Sequence, residues 1–508
     1  MSFRWTIIAL VVLFAGACSP GNGAATEQAR ESDASAAAEA GDSSAEIRSD
    51  DPQLDSNGSL AVVAELDPDN TLTMIVSIET PIATAVELLV ESQGTAARTI
   101  QSTTESEFHE FTVVGLRAET EYRFTATAGD ETLTTAATTG SLPTAVPPVQ
   151  VLQEARGTSN DGITIVGRRP TDRASETGPV YFGFDSEGHI VWYLPQQDTG
   201  PEGAILRDLG DGHIVASVNG GHEVLTVDGE SLSSYGPYDT SWGLHHDFRL
   251  FENGNALVLG RDTRRVGDVL LIGDALREVD PAGAVVWEWS PFDHLDTTRY
   301  EHSPLTKNRT SRDFEFNWTH ANGMWIDETH NEILVSFRNQ SWVVAIDRAT
   351  GGINWIAGDS RDIAPDFDAP FLTLESGSWF SAQHAPKITA EGHLIVFDNR
   401  VESGGPEDDA SRAVIYEIDR EDLTANQVFE ASAGQYAFAL GDADELANGD
   451  VLLVAGIGAT DSPVPGARLT EVSRDGETLW EVALPGFNTY QTERITWEVL
   501  DAGAARTR

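Results

Sequence analysis

One cysteine, Cys18, is all that 508 residues contain. No disulfide can form within the chain, so its stability must come from packing. Basic residues are also few: 32 Lys and Arg stand against 81 Asp and Glu, a net charge of -49. Nucleic-acid binding needs concentrated positive charge and is excluded as a function class. An anionic substrate would be repelled by the global field and would have to meet a local positive pocket. The leading apolar run, Trp5 to Phe14, is too short for an ordinary transmembrane span. What is present is enough for a core: 40% hydrophobic and 22% charged residues suit two or three packed domains and exclude disorder over the whole chain.

The chain begins like an exported protein. Arg4, the apolar run and the small residues Ala15-Gly16-Ala17 form a secretory signal ending at Cys18. A cysteine in that place resembles a bacterial lipobox, which implies lipidation of Cys18 and a periplasmic or outer-membrane lipoprotein. A chance cysteine after an ordinary signal stays open. Residues 19–58, rich in Ala, Ser, Glu and Asp and without aromatics, are expected to be a disordered acidic linker.

From 59 to 144, short alternating strands such as Leu72-Thr73-Met74-Ile75-Val76 predict a small β-sandwich. The stretch Val114-Gly115-Leu116-Arg117-Ala118-Glu119-Thr120-Glu121-Tyr122-Arg123-Phe124 resembles the tyrosine corner of fibronectin type III domains. There a tyrosine hydroxyl bonds back to the chain.

Val146-Pro147-Pro148 reads as a rigid linker, and from 150 to 508 the pattern changes. Turn-plus-strand units recur, among them Asp211-Gly212-His213-Ile214-Val215, Asn253-Gly254-Asn255-Ala256-Leu257-Val258 and Glu391-Gly392-His393-Leu394-Ile395-Val396. Most are followed by an acidic turn and a tryptophan-bearing strand, as in Asp280-Pro281-Ala282-Gly283-Ala284-Val285-Val286-Trp287. Turn glycines and asparagines with β-branched strands indicate hairpins, and the recurrence indicates a β-propeller of about six blades. Five and seven blades stay open. The fold class is therefore all-β: a six-bladed β-propeller preceded by a small β-sandwich.

A propeller gathers residues remote in sequence at one mouth of its channel. His246, His320 and His384 each stand before one of the recurring units, a registry that scattered core histidines would not show. Arg338 ends the strand that follows His320. Three imidazoles and a guanidinium can hold and attack a small anionic group. Three imidazoles can also bind zinc, but no spacing is local and Arg338 would oppose a cation, so no metal or other cofactor is expected.

Four pieces, in order, carry a family resemblance: His245-His246-Asp247 with Asn253-Gly254-Asn255; Trp318-Thr319-His320-Ala321-Asn322; Ser336-Phe337-Arg338-Asn339-Gln340; and Phe380-Ser381-Ala382-Gln383-His384 with Phe397-Asp398-Asn399. Residues 150–500 resemble the bacterial arylsulfate sulfotransferases, which need no activated nucleotide. The resemblance implies ping-pong sulfuryl transfer from an aryl sulfate to a phenol, with His384 as the nucleophile that becomes a sulfohistidine. It implies that Arg338 holds the sulfuryl oxygens and that His246 and His320 donate to oxygens, one of them serving as acid and base. Asn322 matches a polar position beside the reacting group, Tyr490 matches a closing-segment residue that would line the aryl pocket, and Arg494 ends that segment. His245 stays an alternative to His246, with Asp247 expected to orient the imidazole. The disulfide of some family members cannot occur here.

Other readings remain at this stage. A non-catalytic propeller that binds a protein or glycan would keep the histidines as hydrogen-bonders, although it has little need of Arg338. A quinoprotein-like dehydrogenase lacks a recognisable calcium-binding carboxylate motif. The expected partners are aryl sulfates and phenols, and a membrane through Cys18. Whether the protein is a homodimer stays open.

Overall fold

The computed structural model describes residues 58–506 apart from 103, 145, 157–161, 171–180, 195–205, 211, 219–220, 237, 302–314, 402–409 and 459–465. Cys18, the signal-like segment and nearly all of the acidic linker thus lie outside the described residues. Among those described, strands dominate and the one α-helix is Trp497–Ala502. Among the described residues no helix is long and apolar enough to cross a membrane.

Alternation of apolar and polar residues in Met74–Thr84 and Glu121–Ala128 puts every second side chain inward. Two antiparallel sheets result. One holds Ala61–Leu66, Met74–Thr84 and Ser106–Val113, and the other Arg98–Gln101, Val86–Glu91, Glu121–Ala128 and Glu131–Thr138. They enclose a core of Met74, Val76, Leu88, Phe111, Phe124 and neighbours. The hydroxyl of Tyr122 accepts from the Arg117 backbone N–H at 2.9 Å, closing the corner between sheets.

The remaining strands form six successive sheets, spanning 163–193, 206–235, 248–289, 321–358, 384–432 and 442–485, each with a four-stranded antiparallel core. The first is completed by the late strand Phe487–Ile495, which pairs with Ile163–Pro170 and so ties the end of the series to its beginning. Six apolar clusters lie between neighbours. For example, Trp192 packs between the first and second sheets, Trp355 between the fourth and fifth, and Trp480 between the sixth and first. The tryptophans are therefore packing elements, and replacing one by Ala would cost about 3–5 kcal/mol.

The inner strands lie side by side around this series. Ala321–Asp327 packs on His384–Ile388, and Asp442–Glu445 on both His384–Ile388 and Phe487–Ile495. Arg207 and Asp247 join the second and third sheets at 2.6 Å. Between the inner strands sits a buried charge network in which Lys387 pairs with Asp442 at 2.7 Å and Arg207 approaches Glu493 at 3.6 Å. Burial, together with nearby Asp444, pushes the Glu493 carboxyl up from its ordinary value.

The chain's last segment returns to the sandwich. Ala505–Arg506 pairs with Ser106–Val113, Arg98 stacks on Trp497 at 4.6 Å and pairs with Asp501 at 3.1 Å. Gly115 permits the approach: a Cβ there would stand 2.6 Å from the Trp497 ring. On the other side Arg117 pairs with Asp185 at 2.6 Å. The strand after the Pro-Pro linker, Gln150–Gln153, joins the outer edge of the sixth sheet rather than opening the first. Asn70 and Thr71 also donate to Tyr193 of the first sheet, so the sandwich is fastened at several places.

Candidate active site

His384 opens the inner strand of the fifth sheet, where a register shift between His384 and Lys387 re-aims the chain. Its Nδ1 lies 2.7 Å from Asn399 Oδ1. The Asn399 amide nitrogen donates to the carbonyls of Ala437 and Leu440, which fixes the oxygen toward the imidazole. Nδ1 therefore carries the proton. Nε2 accepts the Leu440 N–H at 3.2 Å, so it bears the lone pair. Burial first, then the Arg338 charge, holds His384 well below the ordinary histidine value. It is neutral at neutral pH.

His320 closes the turn before Ala321–Asp327. The amide nitrogen of Asn317 donates to its Nδ1 at 2.7 Å, which leaves the proton on Nε2. Burial and then Arg338 lower its pKa to about 3, so it too stays neutral and acts as a donor. The ring centroid of His246 is 5.1 Å from that of His320, edge to face. Tyr490 lies beside both His246, at 6.1 Å, and His384, at 5.6 Å, so one aromatic ring touches imidazoles from two sheets.

Arg338 donates to Asn339 Oδ1 at 3.0 Å and to the Phe438 carbonyl at 2.9 Å, both neutral oxygens. Burial lowers its pKa to about 10, with Tyr436 opposing that shift. It is charged at neutral pH, and no carboxylate near it offsets that charge among the described residues. Inside a protein of net charge -49, this is a local positive centre.

Backbone strain concentrates here. Among the described residues, seven of the eleven non-glycine ones with positive φ, namely His246, His320, Ser341, Ala382, Ala385, Arg400 and Leu440, belong to these segments. Each such residue costs on the order of 1–3 kcal/mol and persists only where its surroundings hold it. Gly323 allows the fourth and fifth sheets to meet, since a Cβ there would stand 2.9 Å from Pro386 Cδ.

The sequence-predicted residues divide clearly. His320, His246, Tyr490 and His384 are brought into one continuous series of ring contacts, and Arg338 acts electrostatically on two of the histidines. Asn322 is fully buried and donates to the Gln383 carbonyl at 2.8 Å, so it positions the chain just before His384. His245 sits behind His246, its Nδ1 2.8 Å from the Nδ1 of His246 and its Nε2 2.9 Å from Asp274. Asp247 does not orient an imidazole as expected: its carboxylate is taken by Arg207 and the N–H groups of Phe248 and Met324. Arg494 is not brought to the histidines. It pairs with Glu471 at 3.1 Å and stacks on Trp480 at 5.3 Å, because it projects toward the sixth sheet.

Sequence reasoning missed Asp274, Asn317 and the Phe438–Leu440 backbone. Asp274 had a signal, an acid set between apolar neighbours in the strand Val269–Val279. The backbone groups had none.

A metal could be sought at Asp327, His330 and Glu332, whose ligand atoms cluster. Arg420 already reaches Asp327 at 3.3 Å and Glu332 at 3.5 Å, placing a guanidinium where a cation would sit.

No curated protein matches the chain. Solved structures align only weakly. A luciferin-regenerating enzyme aligns at 12% identity over 69% of this chain and 100% of its own, with a TM-score of 0.34. An auxiliary nutrient binding protein from Bacteroides ovatus aligns at 10% identity over 87% and 96%, TM-score 0.32. A quinoprotein alcohol dehydrogenase-like protein from Bacteroides thetaiotaomicron aligns at 8% identity over 83% and 94%, TM-score 0.30. None of these carries an argument about activity. The profile of the arylsulfotransferase (ASST) family, in contrast, matches residues 148–491, which contain every histidine of the site, and the chain belongs to that family.

Proposed function

We propose that the protein moves a sulfuryl group from an aryl sulfate to a phenol in two steps, through a sulfohistidine at His384, and that its six sheets are the blades of one propeller. The observation that carries this reading is the bonding around His384: Asn399 keeps the proton on Nδ1 and leaves Nε2 as a neutral nucleophile under the field of Arg338, whose hydrogen-bond partners are neutral oxygens. Nε2 attacks sulfur, the S–O bond to the aryl group breaks, and phenolate leaves. A phenol then attacks the same sulfur, passes its O–H proton to a neighbouring imidazole and returns the electron pair of the N–S bond to Nε2.

Arg338 offsets the negative charge that repels the incoming nucleophile and binds the sulfuryl oxygens with planar donors. The Leu440 N–H, displaced from Nε2 when the N–S bond forms, is left beside those oxygens. His320 offers its Nε2–H to the bridging oxygen. Tyr490 lines the space between the imidazoles and supports an aryl ring by edge contact. No metal or nucleotide has a step in this scheme.

Lipidation at Cys18 and export to the periplasm or outer membrane belong to the same reading. The sandwich, firmly joined to the propeller, holds the catalytic part away from that anchor as a fibronectin type III-like spacer.

Mixing purified protein with p-nitrophenyl sulfate, with and without phenol, tests the activity. Coloured product whose sustained release depends on phenol is expected. No release from a range of aryl sulfates would instead support a binding module for protein or glycan.

A further inference from the structure

The mouth of the site holds one carboxylate that touches two of its histidine segments. Asp274, on the strand Val269–Val279 of the third sheet, is 3% exposed. Its Oδ2 accepts the Ala321 N–H at 2.7 Å and the Thr319 hydroxyl, the two neighbours of His320. Its Oδ1 lies 2.9 Å from His245 Nε2, a short contact that is bent away from a straight hydrogen bond. Contacts of this kind are often poorly aligned before substrate binds and tighten in the complex. His245 in turn meets His246, Nδ1 to Nδ1, at 2.8 Å. The left-handed backbone of His246, φ 64°, turns the chain between these successive rings.

Proton positions follow along this line. An ionised Asp274 can only accept, so the proton of His245 faces it on Nε2. His245 Nδ1 is then an acceptor, and the proton of His246 must lie on Nδ1. That leaves the lone pair on His246 Nε2. His320 has the opposite tautomer, with its proton on Nε2.

We infer that Asp274 and His245 are positioning residues that make His246 the general base for the incoming phenol, while His320 serves only as a hydrogen-bond donor. This rests on the sulfuryl-transfer reading above. In the second half-reaction the phenol O–H proton passes to His246 Nε2 as the phenol oxygen bonds to sulfur and the N–S bond to His384 breaks. The imidazolium so formed is stabilised by Asp274 through His245, and it returns the proton to the next departing phenolate.

Asp274→Asn reverses the relay with little change of shape. The Ala321 N–H and Thr319 hydroxyl require the retained oxygen at the Oδ2 place, so the new NH2 faces His245. Both imidazoles must then switch tautomer, and His246 presents N–H to the site. His245→Phe breaks the same relay while leaving the bonds of Asp274 to the His320 turn intact, and it serves if Asp274→Asn does not fold.

The test uses the full protein and separates the two half-reactions. Without acceptor, p-nitrophenyl sulfate should give a burst of one p-nitrophenolate per chain in wild type and in both variants, since that leaving group needs no acid. With phenol, which is neutral at neutral pH, steady transfer in the variants should fall about 100-fold or more. With pentafluorophenol, which is already ionised, the loss should stay under about tenfold. Equal losses with both acceptors, or no loss with phenol, would overturn the relay. No burst in wild type would overturn the sulfuryl-transfer reading beneath it.

Discussion

Removing the charge of Arg338 while keeping its length, as in Arg338→Met, tests the electrostatic half of the proposal. Two unit charges about 4 Å apart interact by about 4 kcal/mol at an effective dielectric of about 20. That corresponds to roughly 10³ in rate. Loss of a single donor to developing charge gives a similar figure, about 10²–10³. The burst of p-nitrophenolate, followed by stopped flow, should therefore slow by about 10²–10³ in Arg338→Met. A second effect has a definite sign. Arg338 is the second largest cause lowering both His384 and His320, after burial. Without it both imidazoles take up protons at higher pH, and the acid limb of the burst rate should move upward. Arg338→Lys keeps a charge without the planar fork and should fall between. A methionine variant within about threefold of wild type, with its acid limb in place, would refute the reasoning.

Other consequences follow from the same groups. In wild type the burst rate should be flat through neutral pH and fall on the acid side only below the ordinary histidine range, because His384 is held well below it by burial and Arg338. A titration limb near pH 6.5 would mean a solvated histidine controls the rate. His222 is buried against Phe248, ring centroids 3.9 Å apart, and burial lowers it to about 3. The unfolded chain takes up a proton there below about pH 6.5 and the folded chain does not, so stability falls with pH; at pH 5 this loss is about 2 kcal/mol. His222→Leu should remove that part of the difference between urea melts at pH 7 and pH 5, and an unchanged difference would count against it. Asn322→Ala removes the bond to the Gln383 carbonyl, which should lower kcat about tenfold and stability by about 1–3 kcal/mol with little effect on KM. A change confined to KM would place Asn322 on the substrate instead.

The architecture was legible because hairpin turns and β-branched strands recur, and because tryptophan follows the acidic turns. Those signals are local, and the six sheets with their inter-sheet tryptophans express them directly. The histidines were legible by registry: each enters an inner strand, and strain at His246 and His320 marks where the turn was bent to aim them. Asp247 misled because adjacency to His246 suggested a bond, whereas Arg207 and the N–H groups of Phe248 and Met324 take its carboxylate. Asp274 does that work from 28 positions beyond His246, and no spacing rule joins residues of separate strands. Arg494 followed Tyr490 in the family's closing segment, yet its side chain found Glu471 and Trp480 first. The Leu440 N–H and Phe438 carbonyl are backbone groups that any sequence could supply.

The account's central claim is the covalent sulfuryl group on His384. Protein mixed with an aryl sulfate in the absence of phenol, quenched in alkali and digested, should yield the peptide containing His384 heavier by one sulfuryl group, and adding phenol before the quench should discharge it. A p-nitrophenolate burst accompanied by an unmodified His384 peptide, or by the group on another residue, would contradict the claim.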